Sequence, residues 1–317
     1  MRRTLSDTVA VRFPSHFPFK LLEGTFRTAI HASRACVANN DKPGEHSMFT
    51  RKSRAVLGIG VSLSLGLGAA TALAQDQSSG VYWASCVGLP DHHVLQVALE
   101  NARAQSNGGF DLDMWATVVN RDGLVCQVAF TGSNRGSQWP GSRVISAQKA
   151  NTANSFSLPG LALSTADLYA AVQPGGTLYG LQHSNPVDTS VAYQGPSSNF
   201  GQENDPMIGH RIGGVNVFGG GLALYNSKGL LIGAIGVSGD TSCADHNISW
   251  RTRHTLNLDF VPSGVSINHD DNINYQGKVP VPSLQNDFSQ PICKIGGVDG
   301  VSAISANLPA VQKVGAH

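Results

Sequence analysis

Gly219-Gly-Gly-Leu-Ala-Leu-Tyr-Asn-Ser-Lys-Gly-Leu-Leu-Ile-Gly-Ala-Ile-Gly-Val-Ser-Gly-Asp-Thr241 is the stretch on which the reading of the fold turns. It contains two β-strands, Leu222–Tyr225 and Leu230–Val237, joined by the tight turn Asn226-Ser227-Lys228-Gly229. Asn at the first turn position, polar residues in the middle and Gly at the end are the residues such a turn demands. Gly233, Gly236 and Gly239 then recur along the second strand and just beyond it. Glycine weakens a strand unless another backbone or a ligand must come very close, so this spacing marks a surface of close approach.

A second unit repeats the pattern upstream. Met114–Val119 and Leu124–Phe130 read as strands around Asn120-Arg121-Asp122-Gly123, with Leu124, Cys126, Val128 and Phe130 on one face at period two. Duplication is one explanation of the shared strand–Asn-x-x-Gly-Leu–strand pattern; turn chemistry alone produces the same pattern and is the favoured reading. Between and around the hairpins lie helical patterns. Pro90–Gln105 presents Val94, Val97, Ala98 and Ala102 on one face and stops at Asn107-Gly108-Gly109. Arg143–Phe156 carries the small-residue stripe Val144, Ala147, Ala150, Ala153 and Phe156, suited to close packing on a sheet. Ser164-Thr165-Ala166-Asp167 forms a capping box before Leu168–Val172, and Asp245–Leu258 reads as a last helix. Residues 183–214 are polar and rich in Pro, Gly and Asn, and 263–317 read as a loop-like tail whose fixed point is Cys293. Helices separated by antiparallel hairpins imply an α+β fold with a sheet of about five strands.

The charge is divided along the chain. Residues 1–74 hold 10 Lys+Arg and 4 Asp+Glu, whereas 75–317 hold 12 and 17, a net −5. That balance gives no basic footprint for nucleic acid in the part expected to fold. Arg51, Lys52 and Arg54 precede the apolar run Ala55–Ala70, and Ala72-Leu73-Ala74 follows: the pattern of a secretory signal peptide over 48–74. The run is shorter than the ~20 apolar residues of a membrane span. Because a signal belongs at the N-terminus, translation is expected to start at Met48, with 1–47 untranslated or disordered. The domain then covers 75–262 and the protein is expected to be periplasmic or secreted. Its four cysteines fit two disulfides in an oxidising compartment, with Cys243–Cys293 tying down the tail and Cys86–Cys126 as the second pair. No Cys-x-x-Cys-His is present for covalent haem attachment.

Three blocks in order resemble one family. They are Trp115-Ala-Thr-Val-Val-Asn-Arg-Asp-Gly123, Ser146-Ala-Gln-Lys-Ala-Asn-Thr-Ala-Asn-Ser-Phe156 and Gly233-Ala-Ile-Gly-Val-Ser-Gly239, and they resemble the GlcG/HbpS family (domain of unknown function 336) over roughly residues 90–258. The resemblance implies a profilin-like α/β layer fold and homo-oligomeric assembly. It also implies haem binding or degradation, or a place beside glycolate or diol metabolism. Members with iron-binding glutamates in the Ala-x-Lys-Ala helix have no counterpart here, where Ser146, Gln148 and Asn151 stand instead.

Motifs for other chemistries are incomplete. Gly236-Val-Ser238-Gly239 lacks the spacing of a nucleophile elbow, the glycines lack a following Gly-Lys-Ser/Thr, and zinc patterns are absent. His92 and His93 belong on a solvated first turn; His183 and His210 flank the polar segment as weaker candidates. His246, directly after Asp245, is either an iron ligand or a ring hydrogen-bonded to a neighbouring carboxylate. Lys149 either pairs with a propionate or carboxylate, or reaches out to solvent. Lys149, Ser238, Asp245 and His246 are therefore the candidate ligand-binding residues, with His246 the candidate metal ligand and haem the candidate cofactor. Three functions follow: a non-enzymatic exported binder of haem or a related tetrapyrrole, an enzyme or accessory protein acting on a small carboxylate such as glycolate, and a structural oligomer module. Intact-mass measurement of exported protein is expected to place the mature N-terminus at or near Gln75; a mature species retaining residues 1–47 would refute this.

Overall fold

Asn120 and Asn226 build their hairpins in the same way. The Asn120 side-chain oxygen accepts from the Asp122 and Leu124 amides at 2.9 and 3.0 Å. The Asn226 oxygen accepts from Lys228 and Leu230 at 3.0 and 3.1 Å. Each turn closes with a glycine amide on the Asn carbonyl, and Gly123 and Gly229 both adopt φ +71°. The likeness of the two units thus has a local chemical cause. These details come from a computed structural model that describes residues 85–277, 287–295 and 298–314. The expected signal peptide, its expected cleavage site and residues 1–47 lie outside those ranges.

The hairpins pair β1 (Trp115–Asn120) with β2 (Val125–Phe130) and β3 (Gly221–Tyr225) with β4 (Leu231–Ser238). β1 and β4 then pair antiparallel, giving the strand order β2-β1-β4-β3. The fold is α+β with four strands where about five were expected. Beyond β3, the Tyr225 amide donates to the Leu258 carbonyl at 2.9 Å and one parallel bridge joins Tyr225 to Asp259. Pro262, which has no amide hydrogen, follows at once, so no fifth strand grows there.

Helix α1 (His92–Arg103) and helix α5 (Ser242–Thr255) share a core with Ala116, Val118, Ile235 and Val237 on one face of the sheet. Helix α2 (Ser142–Phe156) covers the other face, where Val144, Ala147, Ala150 and Ala153 meet Trp115, Val119 and Ala234. The apolar face of α1 differs from the expected one. Leu95 and Leu99 are fully buried while Val94 and Val97 are 47% and 41% exposed, because the helix rests on its Leu95/Ala98/Leu99/Ala102 stripe. The single face expected for β2 is likewise split by a β-bulge. Val118 pairs with Gln127 but Val119 with Val125, which leaves Cys126 as the extra residue. Leu124 and Cys126 therefore join the core under α1, whereas Val128 and Phe130 join that under α2. The same bulge aims Cys126 at Cys86, to which it is joined with a Cα–Cα separation of 5.9 Å.

The glycines of β4 receive a backbone and not a ligand. A Cβ on Gly236 would lie 2.0 Å from the Ser146 carbonyl oxygen and 2.4 Å from the Ala150 amide nitrogen of α2. The small stripe of α2 and the bare backbone of β4 are two halves of one contact.

The capping box closes as read, with the Asp167 carboxylate accepting from the Ser164 amide at 2.9 Å, but only the short helix α3 (Tyr169–Val172) follows. Residues 183–214 are not a free loop. They include helix α4 (Thr189–Ala192) and are pinned by Arg143, whose buried guanidinium binds the Asp205 carboxylate and the Ala192 carbonyl and lies 3.7 Å over the Phe200 ring. The tail also departs from the expected loop, since Val298–Ala306 forms helix α6. Val301 is fully buried there and Ser305 donates to Asn247 at 2.9 Å, so contact with α5 stabilises a helix that its sequence, with Gly300 inside it, signals poorly. Substituting Gly236→Ala should cost about 2–3 kcal/mol in chemical denaturation, by overpacking the α2–β4 contact. Gly141→Ala, whose Cβ would meet nothing within 4 Å, is the control; equal stability of the two variants would refute this account of β4.

Candidate functional site

Helix α5 begins where β4 ends, and this junction brings three of the four candidate residues together. Thr241 caps the helix with its side chain on the Ala244 amide, which places Asp245 in the first turn, where the helix dipole favours a carboxylate. Lys149 arrives from α2 on the opposite face of the sheet. Its ammonium donates to Asp245 Oδ2 at 2.7 Å and to the Val237 carbonyl at 3.1 Å, with Ser238 Oγ at 3.4 Å. The other Asp245 oxygen accepts from the Asp240 amide at 2.8 Å. Lys149 thus neither reaches solvent nor offers itself to an outside carboxylate: it is bound to one supplied by its own chain.

This pair is sealed. Lys149 and Asp245 are 1% and 2% exposed. Gly220, at φ +118°, folds over them so closely that a Cβ there would lie 2.3 Å from the Val237 oxygen and 3.2 Å from the lysine nitrogen. Burial pushes the Lys149 pKa down and the Asp245 pKa up to about 6, each opposed by the attraction between the two groups. Desolvation of both charges offsets most of their attraction, so the net contribution of such a pair is small, yet removing one partner costs about 3–5 kcal/mol.

His246 stands apart from the pair, and it does not bond to Asp245. It is fully buried, and neither ring nitrogen makes a hydrogen bond of good geometry. A Cβ on Gly219 would lie 3.1 Å from its own Cβ. Burial lowers its pKa to about 4 against the opposing pull of Asp271 and Asn272, so the ring is neutral at pH 7. The other histidines stand elsewhere. His92 Nε2 is 3.0 Å from the Gly201 carbonyl, and His93, His183 and His210 are exposed. Among the described residues no three His, Cys, Asp or Glu side chains converge to hold a metal ion.

The sequence reading missed a second buried set beside His246. Arg253, two turns further along α5, makes a two-pronged ion pair with Asp271 at 2.6 and 2.8 Å, donates to the Ala223 carbonyl and lies 4.7 Å over the Trp250 ring. Asp167, whose Oδ1 has no partner, is held well above the ordinary carboxylate range by burial, reinforced by Asp271 and Asp270. The available signal was the seven-residue interval from His246 to Arg253, which puts both on one helix face. A separate polar cleft of about 290 Å³ opens at the end of α1, lined by Arg103, Ala104, Gln105, Ser106 and Asp111; it contains none of the candidate residues.

With this geometry in hand, comparison with known proteins gives the class. Residues 92–252 match the family described as haem degrading protein HbpS-like, and the chain belongs to that family. The chain is also similar, at low identity, to two solved structures. A crystal structure of a PduOC:heme complex is 23% identical, covering 52% of this chain and 91% of that one, with a TM-score of 0.37. The Klebsiella pneumoniae protein ORFY, of the DUF336 family, is 24% identical, covering 52% of this chain and 86% of that one, with a TM-score of 0.36. A search of curated proteins gives no match. No helix among the described residues is long and apolar enough to cross a membrane.

The buried ring of His246 sets a pH dependence. A base whose folded pKa lies below its ordinary 6.5 holds fewer protons when folded. Its stabilising effect is therefore complete above about pH 6.5 and is lost as pH falls towards 4. Between those limits the wild type should lose roughly 3 kcal/mol more stability than a His246→Leu variant, measured by urea denaturation. The upward shift at Asp245 acts in the opposite sense but is common to both proteins. Parallel pH profiles would show that His246 does not titrate as its burial dictates.

Proposed function

We propose that this chain is an exported protein that binds haem or a related tetrapyrrole non-covalently. The observation that carries this reading is membership of the HbpS-like family over residues 92–252. Two disulfides, Cys86–Cys126 and Cys243–Cys293, support the exported part, since such bonds persist in oxidising compartments. Assembly with further copies of the chain belongs to the same reading.

His246 is the proposed ligand to iron, and its fit is half complete. The donor suits the group: a neutral imidazole whose ring nitrogens make no hydrogen bond of good geometry is what a haem iron takes. The packing does not. Gly219 lies against the ring's own Cβ and Gly220 closes over the Lys149–Asp245 pair, leaving no slot for a planar macrocycle beside His246. Binding at His246 therefore requires the elements around α5 to part. The alternative of a small-carboxylate site at Lys149 has weaker support, because its cation is already neutralised by Asp245.

Titrating the mature protein with hemin should produce a saturable Soret band, and His246→Ala should change that spectrum more than His92→Ala does. No saturable band would overturn the haem reading. Identical spectra for the two variants would remove His246 from the ligand role.

A further inference from the structure

The family match ends at residue 252, and much of what covers the outer side of α5 comes from the chain beyond it. Asp271 holds Arg253, and Asn272 and Asp271 act on the His246 ring. Ile273, Tyr275 and Val301 form a small core with Cys243 and Ala166. Ser305, on α6, donates to Asn247 of α5 and shares a 2.8 Å hydrogen bond with Tyr275, and the Trp250 indole donates to the Pro309 carbonyl at 2.8 Å. Gln290 reaches Ser242 at 3.2 Å, beside the disulfide from Cys243 to Cys293. One helix thus carries both the buried imidazole and several of the tail's anchoring points among the described residues.

We infer that the C-terminal appendage, through its residues 265–277, 287–295 and 298–314, is an intramolecular cover that shuts off access to His246, with the Cys243–Cys293 disulfide as its clasp. The bond lies at the start of α5, three residues before His246, and fixes the tail to the helix there. Cleaving it by thiol–disulfide exchange, with a dithiol reductant oxidised as Cys243 and Cys293 take up two electrons and two protons, releases the middle of the cover, around residues 287–295, from the start of α5. The ion pair to Asp271 and the contacts of α6 remain to guide its return. As a statement about access, this device stands without haem; as a control on haem uptake, it rests on the function proposed above.

The test reads His246 directly. Diethylpyrocarbonate acylates neutral, accessible imidazoles, and peptide mass spectrometry reports each histidine separately. In the oxidised wild type His246 should stay unmodified while exposed His93, His183 and His210 react. In a Cys243→Ser/Cys293→Ser double variant His246 should react at least about tenfold faster, with the other histidines unchanged. Cys86→Ser/Cys126→Ser should leave His246 protected. Because the double variant may fold poorly, wild-type protein reduced stepwise with dithiothreitol gives a second measurement, in which His246 labelling should follow loss of the Cys243–Cys293 bond and not of the other. Unchanged protection after the clasp is cut, or equal exposure on cutting either disulfide, would overturn the inference. Hemin uptake by the same samples separates the two claims. A gate that opens without hemin binding refutes the haem reading alone, and hemin bound equally fast with the clasp closed refutes the gate alone.

Discussion

The ion pair between Lys149 and Asp245 ties together parts of the fold that nothing else joins so directly. Lys149 belongs to the helix on one face of the sheet and Asp245 to the helix on the other, and the ammonium reaches its partner past the end of β4. That reach has two conditions. The helix carrying Lys149 must sit almost in van der Waals contact with the strand, which Gly236 permits, and the segment leading into β3 must fold over the pair, which Gly220 permits. A larger side chain at either place would lift the helix or the cover and leave two charges short of each other in a dry interior, where an unpaired charge is very costly. The glycine-rich sequence and the buried ion pair are therefore one arrangement.

The polar interior continues along the last helix of the sheet core. α5 buries Asp245, His246, Asn247, Ser249, Thr252 and Arg253, an unusual load for an internal helix. Arg253 is answered by Asp271 and Asn247 by Ser305, both beyond the part of the chain that the family shares. The appendage is thus what makes so polar a helix tolerable inside the protein, and the 50-residue separation closed by Cys243–Cys293 contributes about 4 kcal/mol in the chain-entropy view. His246 is less well answered, since neither ring nitrogen makes a hydrogen bond of good geometry, and Ser249 Oγ on the same helix is also without a partner.

The two hairpins, their Asn-x-x-Gly turns, the small-residue helix and the last helix were legible because each rests on local rules of turn chemistry and periodicity. The apolar face of α1 was not. Val94, Val97, Ala98 and Ala102 and the stripe built on Leu95 and Leu99 are both plausible on a helix, and only the sheet beneath selects between them. The bulge at Cys126 was hidden for the same reason, since strict alternation assigns faces correctly only while the register holds. Helix α6 has a weak sequence signal because its stability comes from contacts with Asn247, Tyr275 and the small core around Cys243.

By itself the sequence determined the α+β class and the family, because backbone chemistry and residue spacing are local properties; Lys149, Ser238, Asp245 and His246 it offered only as candidates. Only the tertiary structure decided what those residues face. Lys149 and Asp245 neutralise each other, and the space opened by Gly236 belongs to α2. His246 makes no hydrogen bond of good geometry from either ring nitrogen, beside residues supplied from far along the chain. Partner choice inside a protein depends on which distant groups share a desolvated space, and no periodicity in the sequence records that.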